Sequence, residues 1–400
     1  MAAFLLGLLA FTLPIFAEAL LWRSPGGFDP SETIVLAPYD LVQIGLIVVW
    51  VRRRGPARAV GAVHTTLAGK LGAALVAVAV VSALAHPSWR SLDLLYRALA
   101  VVAIVDACRH LASRHRRQVL AAFVAAGLLQ AVIGAAQSVH GGSLGLGPLE
   151  FPFNSFLFGS LHPGQAGFFH PYLLSAFLLV ALGAALVGAV GAVRPWPWAI
   201  ACVPIAFGLA RTFSRTSVLA LAVALAVAVV VRGDDRTRRR LVAAAIAVGI
   251  ALGGLSAASG WHDKGTTTVG SNSDTGRTDR YREAGRLIES SPVVGVGLGR
   301  YTTALRDVEH SQLVHSHDVV LQAASELGVV GGALTAVLMA LGAWWAMRAS
   351  PAALCVLLLL LPFAVLDAIP VVFPTGIAIG GLWMGTIALA AAERAPAAEP

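Results

Sequence analysis

Two histidines stand immediately before a long apolar segment. The sequence reads His315-Ser316-His317-Asp318, and the apolar run begins at Val319. An imidazole exchanges a proton near neutral pH, so either histidine could act as a general base toward a hydroxyl group. Residues two apart on a helix point in different directions, so a shared role would need another local structure.

Arginines near the ends of apolar segments are the second group with chemical potential. A guanidinium group stays charged and binds phosphate oxygens in pairs, so several of them at one membrane surface would suit a diphosphate. Arg215 has no acidic neighbour in sequence, and it could bind either lipid headgroups or a substrate. Local ion pairs are an alternative for others, because acidic residues lie within one helical turn of Arg90, Arg97, Arg282 and Arg286.

Other reactive residue types show no metal or nucleotide pattern. The three cysteines (Cys108, Cys202 and Cys355) lie in or beside apolar runs without paired spacing. No two histidines are spaced to share a helix face with a carboxylate, so we expect neither a metal ion nor a cofactor. The run Gly295–Gly299 could form an anion-binding nest, but it follows no strand, and a glycine turn is the favoured interpretation.

The composition predicts a membrane protein. The 400 residues are 57% hydrophobic and 12% charged, whereas soluble domains carry about 25% charged residues. The net charge of +8 does not indicate a nucleic-acid partner, because the basic residues cluster in short loops between apolar segments. Residues 3–22 could be a signal peptide, but they lack a basic beginning, and a retained first helix is preferred.

Twelve segments are apolar and long enough to cross a bilayer as helices. Arginine clusters follow the second, fourth and eighth, which places both termini in the cytoplasm and the histidines outside. We therefore predict an all-α polytopic fold with four parts: transmembrane helices 1–9 over 1–259, a long periplasmic loop with short helices over 260–318, transmembrane helices 10–12 over 319–392 and a tail over 393–400. The twelve segments are 3–22, 34–51, 67–86, 91–108, 118–139, 167–192, 196–212, 216–232, 241–259, 319–347, 351–369 and 372–392.

Four stretches together resemble the O-antigen ligase family of membrane glycosyltransferases. The family pattern is His, then Asn, Ser or Gln, nine residues, Gly, two residues, and Gly, Thr or Tyr. His317, Gly328 and Gly331 fit it, whereas Asp318 departs from the second position. Thr275–Tyr301 resembles the family's Ser-Gly-Arg helix and glycine turn. Two shorter elements, Phe213–Thr216 and, more loosely, His162-Pro163, resemble its Ser-Arg and Asn-Pro-Asn steps.

The resemblance implies a GT-C-like enzyme of the bacterial inner membrane that needs no metal or nucleotide. Its donor would be a glycan on undecaprenyl diphosphate, its acceptor a hydroxyl of lipid A–core oligosaccharide, and its active site periplasmic. His317 would be the general base. Arg215, Arg277 and Arg280 would bind the diphosphate, and the candidate supporting residues are His315, Asp318, Arg211, Arg97 and His162.

Two other functions remain open at this stage. A polysaccharide polymerase would use the same donor and a second lipid-linked repeat unit as acceptor, and the His317 pattern favours the ligase over it. A transporter or flippase for lipid-linked glycans would belong to another class. Transporters often show internal repeats and polar residues near the membrane midplane. This sequence shows no repeat, and its charges collect near segment ends.

Overall fold

The computed structural model describes residues 1–15, 19–22, 34–54, 67–151, 162–231, 235–255, 273–309, 315–366 and 374–392. Most of these residues are helical. The predicted tail 393–400 lies outside the described residues. Within the described ranges the α-helices are α1 (Ala2–Thr12), α2 (Pro38–Arg54), α3 (Leu67–Ala85), α4 (Trp89–Arg109), α5 (Ser113–His140), α6 (Pro171–Gly191), α7 (Trp196–Ala210), α8 (Arg215–Val230), α9 (Arg236–Leu255), α10 (Ser273–Ser290), α11 (Tyr301–Glu309), α12 (Val319–Ala349), α13 (Pro351–Leu366) and α14 (Pro374–Ala392).

Each of the twelve predicted segments overlaps one of these helices. Five of them, α3, α5, α6, α12 and α14, are long and apolar enough to cross a membrane by length and composition. Helices α1, α7, α8 and α13 are apolar but shorter. The membrane-protein prediction is therefore confirmed, whereas twelve crossings remain a prediction.

The first predicted segment, 3–22, is longer than the helix that the structure shows, whereas the prediction of a helical fold holds. Helix α1 ends at Thr12, two residues before Pro14, which has no amide hydrogen to continue a helix. Ala19–Trp22 then forms strand β1, which pairs antiparallel with β2 (Ile34–Leu36). The described part of the chain is therefore helical with one two-stranded sheet.

Helix α6 forms the centre of the bundle. Every residue from Leu173 to Ala189 is buried, and α6 packs against α5, α7, α13 and α14. Small residues let these helices come close: a Cβ added to Gly127 of α5 would lie 2.3 Å from the Cβ of Ala181. A helix that is buried on all sides by apolar neighbours gives rigid support to the residues at its ends.

Arginines close one end of the bundle, which we call the arginine end. Arg116 donates a 2.7 Å hydrogen bond to the carbonyl oxygen of Ala392, and Arg117 donates one of 3.0 Å to that of Gly191. Arg238 donates to the carbonyl oxygen of Val190. Carbonyl groups in the last turn of a helix lack helical partners, and these side chains satisfy them. The opposite end, where His315 and His317 lie, is the histidine end.

Candidate functional site

His315 and His317 face one another in the turn that precedes α12. Their ring centroids are 4.2 Å apart, and both side chains are half-buried. His317 adopts a left-handed backbone conformation with φ of 60°, which is uncommon for a residue with a side chain. Because the residues occupy a turn and not a helix, the divergence expected of helical neighbours two apart does not apply. The two imidazoles form one pair.

Basic groups from other elements surround this pair. Burial lowers the pKa of His315 well below 6.5, and nearby His317, Arg280 and His170 lower it further. Arg280 belongs to α10, and His170 caps the beginning of α6, where its Nδ1 accepts a 3.1 Å hydrogen bond from the amide of Tyr172. Three elements that are far apart in sequence thus bring basic side chains to one place. Such a place favours an anionic ligand.

Asp318 caps helix α12. Its Oδ1 accepts a 2.7 Å hydrogen bond from the amide of Leu321, as a helix N-cap residue does. The hydroxyl of Ser316 donates a 2.8 Å hydrogen bond to the carbonyl oxygen of Asp318 and ties the turn to the cap. In the structure, the carboxylate of Asp318 therefore serves as a helix cap.

Helix α12 is broken at Gly328, and a loop from elsewhere fills the break. Gly328 has φ of 78° and ψ of 176°, which are not helical values. Val329, whose amide would bond Ser325 in a continuous helix, donates a 2.9 Å hydrogen bond to the carbonyl oxygen of Pro292. The freed carbonyl of Ser325 accepts a 2.9 Å hydrogen bond from the amide of Val296. We call residues 292–300 the glycine loop.

The glycine loop is a turn whose end binds a carboxylate of the chain itself. Gly295, Gly297 and Gly299 have φ of 69°, 111° and 73°, values that glycine adopts readily. The amide of Gly299 donates a 2.9 Å hydrogen bond to Oε2 of Glu326. The turn interpretation therefore holds, and the group that accepts from its amide is a buried side chain of α12.

Two of the predicted arginines hold the helices together. Arg97 is 1% exposed; its guanidinium lies 2.7 Å from the carboxylate of Asp40 and 2.9 Å from that of Asp93. Arg211 is buried and donates a 3.1 Å hydrogen bond from Nε to the hydroxyl of Ser138 at the end of α5. These contacts occupy hydrogen-bond donors of both guanidinium groups. Ion pairing thus accounts for the geometry of Arg97.

The other predicted residues lie at separate positions of the histidine end. Arg215 begins α8 with an exposed side chain, and Arg280 is half-buried beside His315. The backbone of Arg277 is in α10, and its side chain lies outside what the structure describes. His162 is half-buried and lies near Gly141, just beyond the end of α5. Arg280 is therefore the predicted diphosphate ligand that the structure brings to the histidine pair.

Sequence reasoning missed Glu326 and its partner Gln322. Glu326 is 8% exposed, and its Oε1 accepts a 2.8 Å hydrogen bond from Nε2 of Gln322, one helical turn earlier. A signal was present, because an ionisable residue inside an apolar segment is costly and commonly has a function. The glycine pattern drew attention to residue 328 and away from the carboxylate two positions before it.

One comparison with known proteins finds a family whose sequence model covers part of this chain. The sequence model of the O-antigen ligase family matches residues 200–336, which include Arg215, Arg280 and His317. This match confirms the resemblance to that family. The comparison with curated proteins gives no match. In the described residues, no group of three or more histidine, cysteine, aspartate or glutamate side chains is arranged to hold a metal ion.

Proposed function

We propose that this protein transfers a glycan from undecaprenyl diphosphate to a hydroxyl group of lipid A–core oligosaccharide, on the periplasmic face of the bacterial inner membrane. The O-antigen ligase match supports ligase- or polymerase-type activity in general. One observation carries the finer proposal: the pair of His315 and His317 lies beside Arg280 at the beginning of an apolar helix, within the matched residues.

The proposed reaction is a single displacement. His317 takes the proton of the acceptor hydroxyl while the hydroxyl oxygen bonds to the anomeric carbon of the donor. The bond from that carbon to the diphosphate oxygen breaks, and its electron pair stays on the diphosphate. Direct attack inverts the anomeric configuration. Arg280, with Arg215 and Arg277, stabilises the negative charge that grows on the leaving group, and the step uses neither a metal ion nor a nucleotide.

His315 supports this step by remaining neutral. Burial and the surrounding basic groups lower its pKa well below 6.5, so it carries no charge at neutral pH. A second imidazolium 4.2 Å from His317 would oppose the uptake of a proton there. A neutral His315 leaves His317 as the imidazole of the pair that takes the proton.

The direct test is transfer of glycan from purified undecaprenyl-diphosphate donor to lipid A–core acceptor. We expect His317→Ala to lose about 100-fold or more in kcat, the usual contribution of a general base. His115→Ala is the control, because His115 is exposed at the start of α5, at the arginine end. A folded His317→Ala protein that transfers glycan at the full rate would contradict the proposal.

The polymerase alternative differs only in the acceptor. A deletion strain separates the two: loss of a ligase leaves uncapped core lipid beside intact polymer on its carrier, whereas loss of a polymerase leaves single repeat units on the core. Movement of lipid-linked glycan across sealed vesicles, without covalent transfer, would instead indicate a transporter.

A further inference from the structure

Glu326 is a buried acidic residue on an apolar helix. It lies on the first segment of α12, two residues before the break at Gly328, and is 8% exposed. Burying a carboxylate costs several kcal/mol unless hydrogen bonds and opposite charge compensate for it. The neighbours of Glu326 therefore show what holds it there.

Backbone amides and a buried cation stabilise this carboxyl group. Gly299 donates a 2.9 Å hydrogen bond to Oε2, and the amide of Tyr301 adds another bond to the carboxylate. Arg90 is 5% exposed and close enough to interact electrostatically with Glu326. Arg90 in turn lies 2.6 Å from Asp93, which belongs to the ion pairs described above. The carboxylate thus joins the glycine loop to α4.

A second set of hydrogen bonds leads from Glu326 to residues 315–318, the turn before α12, which we call the histidine turn. Nε2 of Gln322 donates a 2.8 Å hydrogen bond to Oε1 of Glu326. Oε1 of Gln322 accepts a 3.0 Å hydrogen bond from the amide of Ser316. Ser316 is fully buried and separates His315 from His317. The direction of each bond is set, because a backbone amide can only donate. Gln322 must accept on one side and donate on the other, and Glu326 must accept at both oxygens.

We propose that Glu326 is a positioning residue, which holds the backbone of the histidine turn through Gln322 and so fixes His317 for proton transfer. This inference rests on the proposed function for its effect on catalysis. Glu326 reaches the amide of Ser316 only through the side chain of Gln322. The structural part, a turn ordered by a distant carboxylate, is measurable without any reaction.

Two single variants and their combination test the direction of the bonds. Glu326→Gln puts an amide nitrogen where an accepting oxygen is needed, and Gln322→Glu sets a carboxylate against a carboxylate. We expect each to lower kcat about tenfold or more with a smaller change in KM. In the exchanged pair, Gln322→Glu with Glu326→Gln, the new Glu can accept from Ser316 and the new Gln can accept from Gly299. The amide group of the new Gln can also donate to the new Glu. The kcat of this double variant should recover to within about threefold of that of the unaltered protein.

Ser82→Ala is the matched control. The Ser82 hydroxyl donates a 2.7 Å hydrogen bond to the backbone carbonyl of Glu326 and does not touch its carboxylate. We expect the loss of this bond to lower the free energy of unfolding about as much as each single variant does. The hydrogen bonds from Glu326 through Gln322 to Ser316 stay intact. Transfer by Ser82→Ala at the unaltered rate supports the proposal, and a loss equal to that of Glu326→Gln overturns it.

Hydrogen exchange of the peptide that contains residues 315–317 gives a readout that needs no substrate. We expect Glu326→Gln to speed exchange there about tenfold, and both the exchanged pair and Ser82→Ala to keep it slow. Unchanged exchange in Glu326→Gln, or an exchanged pair no better than either single variant in kcat and exchange, overturns the proposal. If the proposed transfer itself is absent from the unaltered protein, the exchange pattern still decides whether Glu326 orders the turn.

Discussion

The amide of Val329 and the carbonyl oxygen of Pro292 are joined by a 2.9 Å hydrogen bond across thirty-six intervening residues. This bond takes the place of one that a continuous α12 would make within itself. It couples the glycine loop to the segment that follows the histidine pair, so backbone conformation at the break bears on the site.

Gly328→Ala should therefore disrupt the site. A Cβ at this position would lie 2.3 Å from the carbonyl oxygen of Val293, and φ of 78° disfavours any side chain. We expect a loss of stability of about 1–3 kcal/mol and a loss of transfer activity. The measurements are thermal unfolding in detergent and in vitro transfer.

Gly342→Ala is the control in the same helix. Nothing lies within 4 Å of a Cβ added there, and the residue is helical and exposed. Alanine should leave stability unchanged or raise it by about 0.4–1 kcal/mol. Equal damage from the two substitutions would show that the break has no special importance.

Asp318 offers a test of the helix cap. Asn accepts the same hydrogen bond from Leu321, whereas Ala cannot, so Asp318→Ala should cost about 0.5–2 kcal/mol and Asp318→Asn much less. Activity should follow the same order. A large loss of transfer with stable, folded Asp318→Asn would indicate that the negative charge of Asp318 has a part in the reaction.

Arg280 and Arg282 form a matched pair on helix α10. Arg280 lies near His315, whereas Arg282 is exposed and pairs with Asp279 at 2.9 Å. We expect Arg280→Gln to raise the KM for the lipid-linked donor about tenfold or more, because a charge-assisted bond to diphosphate is lost. Arg282→Gln should change KM less than about twofold. Equal effects would remove Arg280 from the proposed diphosphate site.

The stability of the protein should fall in mild acid because of His315. Its pKa is well below 6.5 in the folded protein, so the unfolded chain binds a proton more readily. The stabilising effect of the neutral ring is complete above pH 6.5 and is lost as the pH falls through the folded pKa. The midpoint of thermal unfolding, followed from pH 7.5 to about 5, should decrease less in His315→Asn than in the unaltered protein.

His115→Asn is the control for this measurement, since His115 is exposed. Its pH profile should match that of the unaltered protein. Identical profiles for His315→Asn and the unaltered protein would contradict the assignment of the acid sensitivity to His315.

The helices could be predicted from the sequence, whereas the contacts between distant stretches could not. Apolar runs near the length of a bilayer crossing indicate a helix by themselves, and all twelve predicted segments overlap a helix of the structure. The end of α1 was missed because the apolar run continues past Pro14. Local composition therefore predicts the presence of a helix better than it predicts the residue at which the helix ends.

The site was predictable only in part. The spacing of His317 and Gly328 selected the turn that precedes α12. It could not show that Gly299 donates to Glu326, because that bond depends on how α12 and the glycine loop pack. Nor could spacing separate Arg280 from Arg97. Both arginines have an acidic residue within one helical turn, and only the structure shows that Arg97 also pairs with Asp40, fifty-seven residues before it.

The break in α12 also determines what the glycine loop cannot do. The loop supplies hydrogen-bond partners for Ser325, Glu326 and Val329, and its residues Gly295 and Gly297 are buried. If it swung outward, these backbone groups would be left unpaired away from water, at a cost of several kcal/mol. The loop is therefore held against the break in α12 by hydrogen bonds on both sides of Gly328, and we do not expect it to open as a lid.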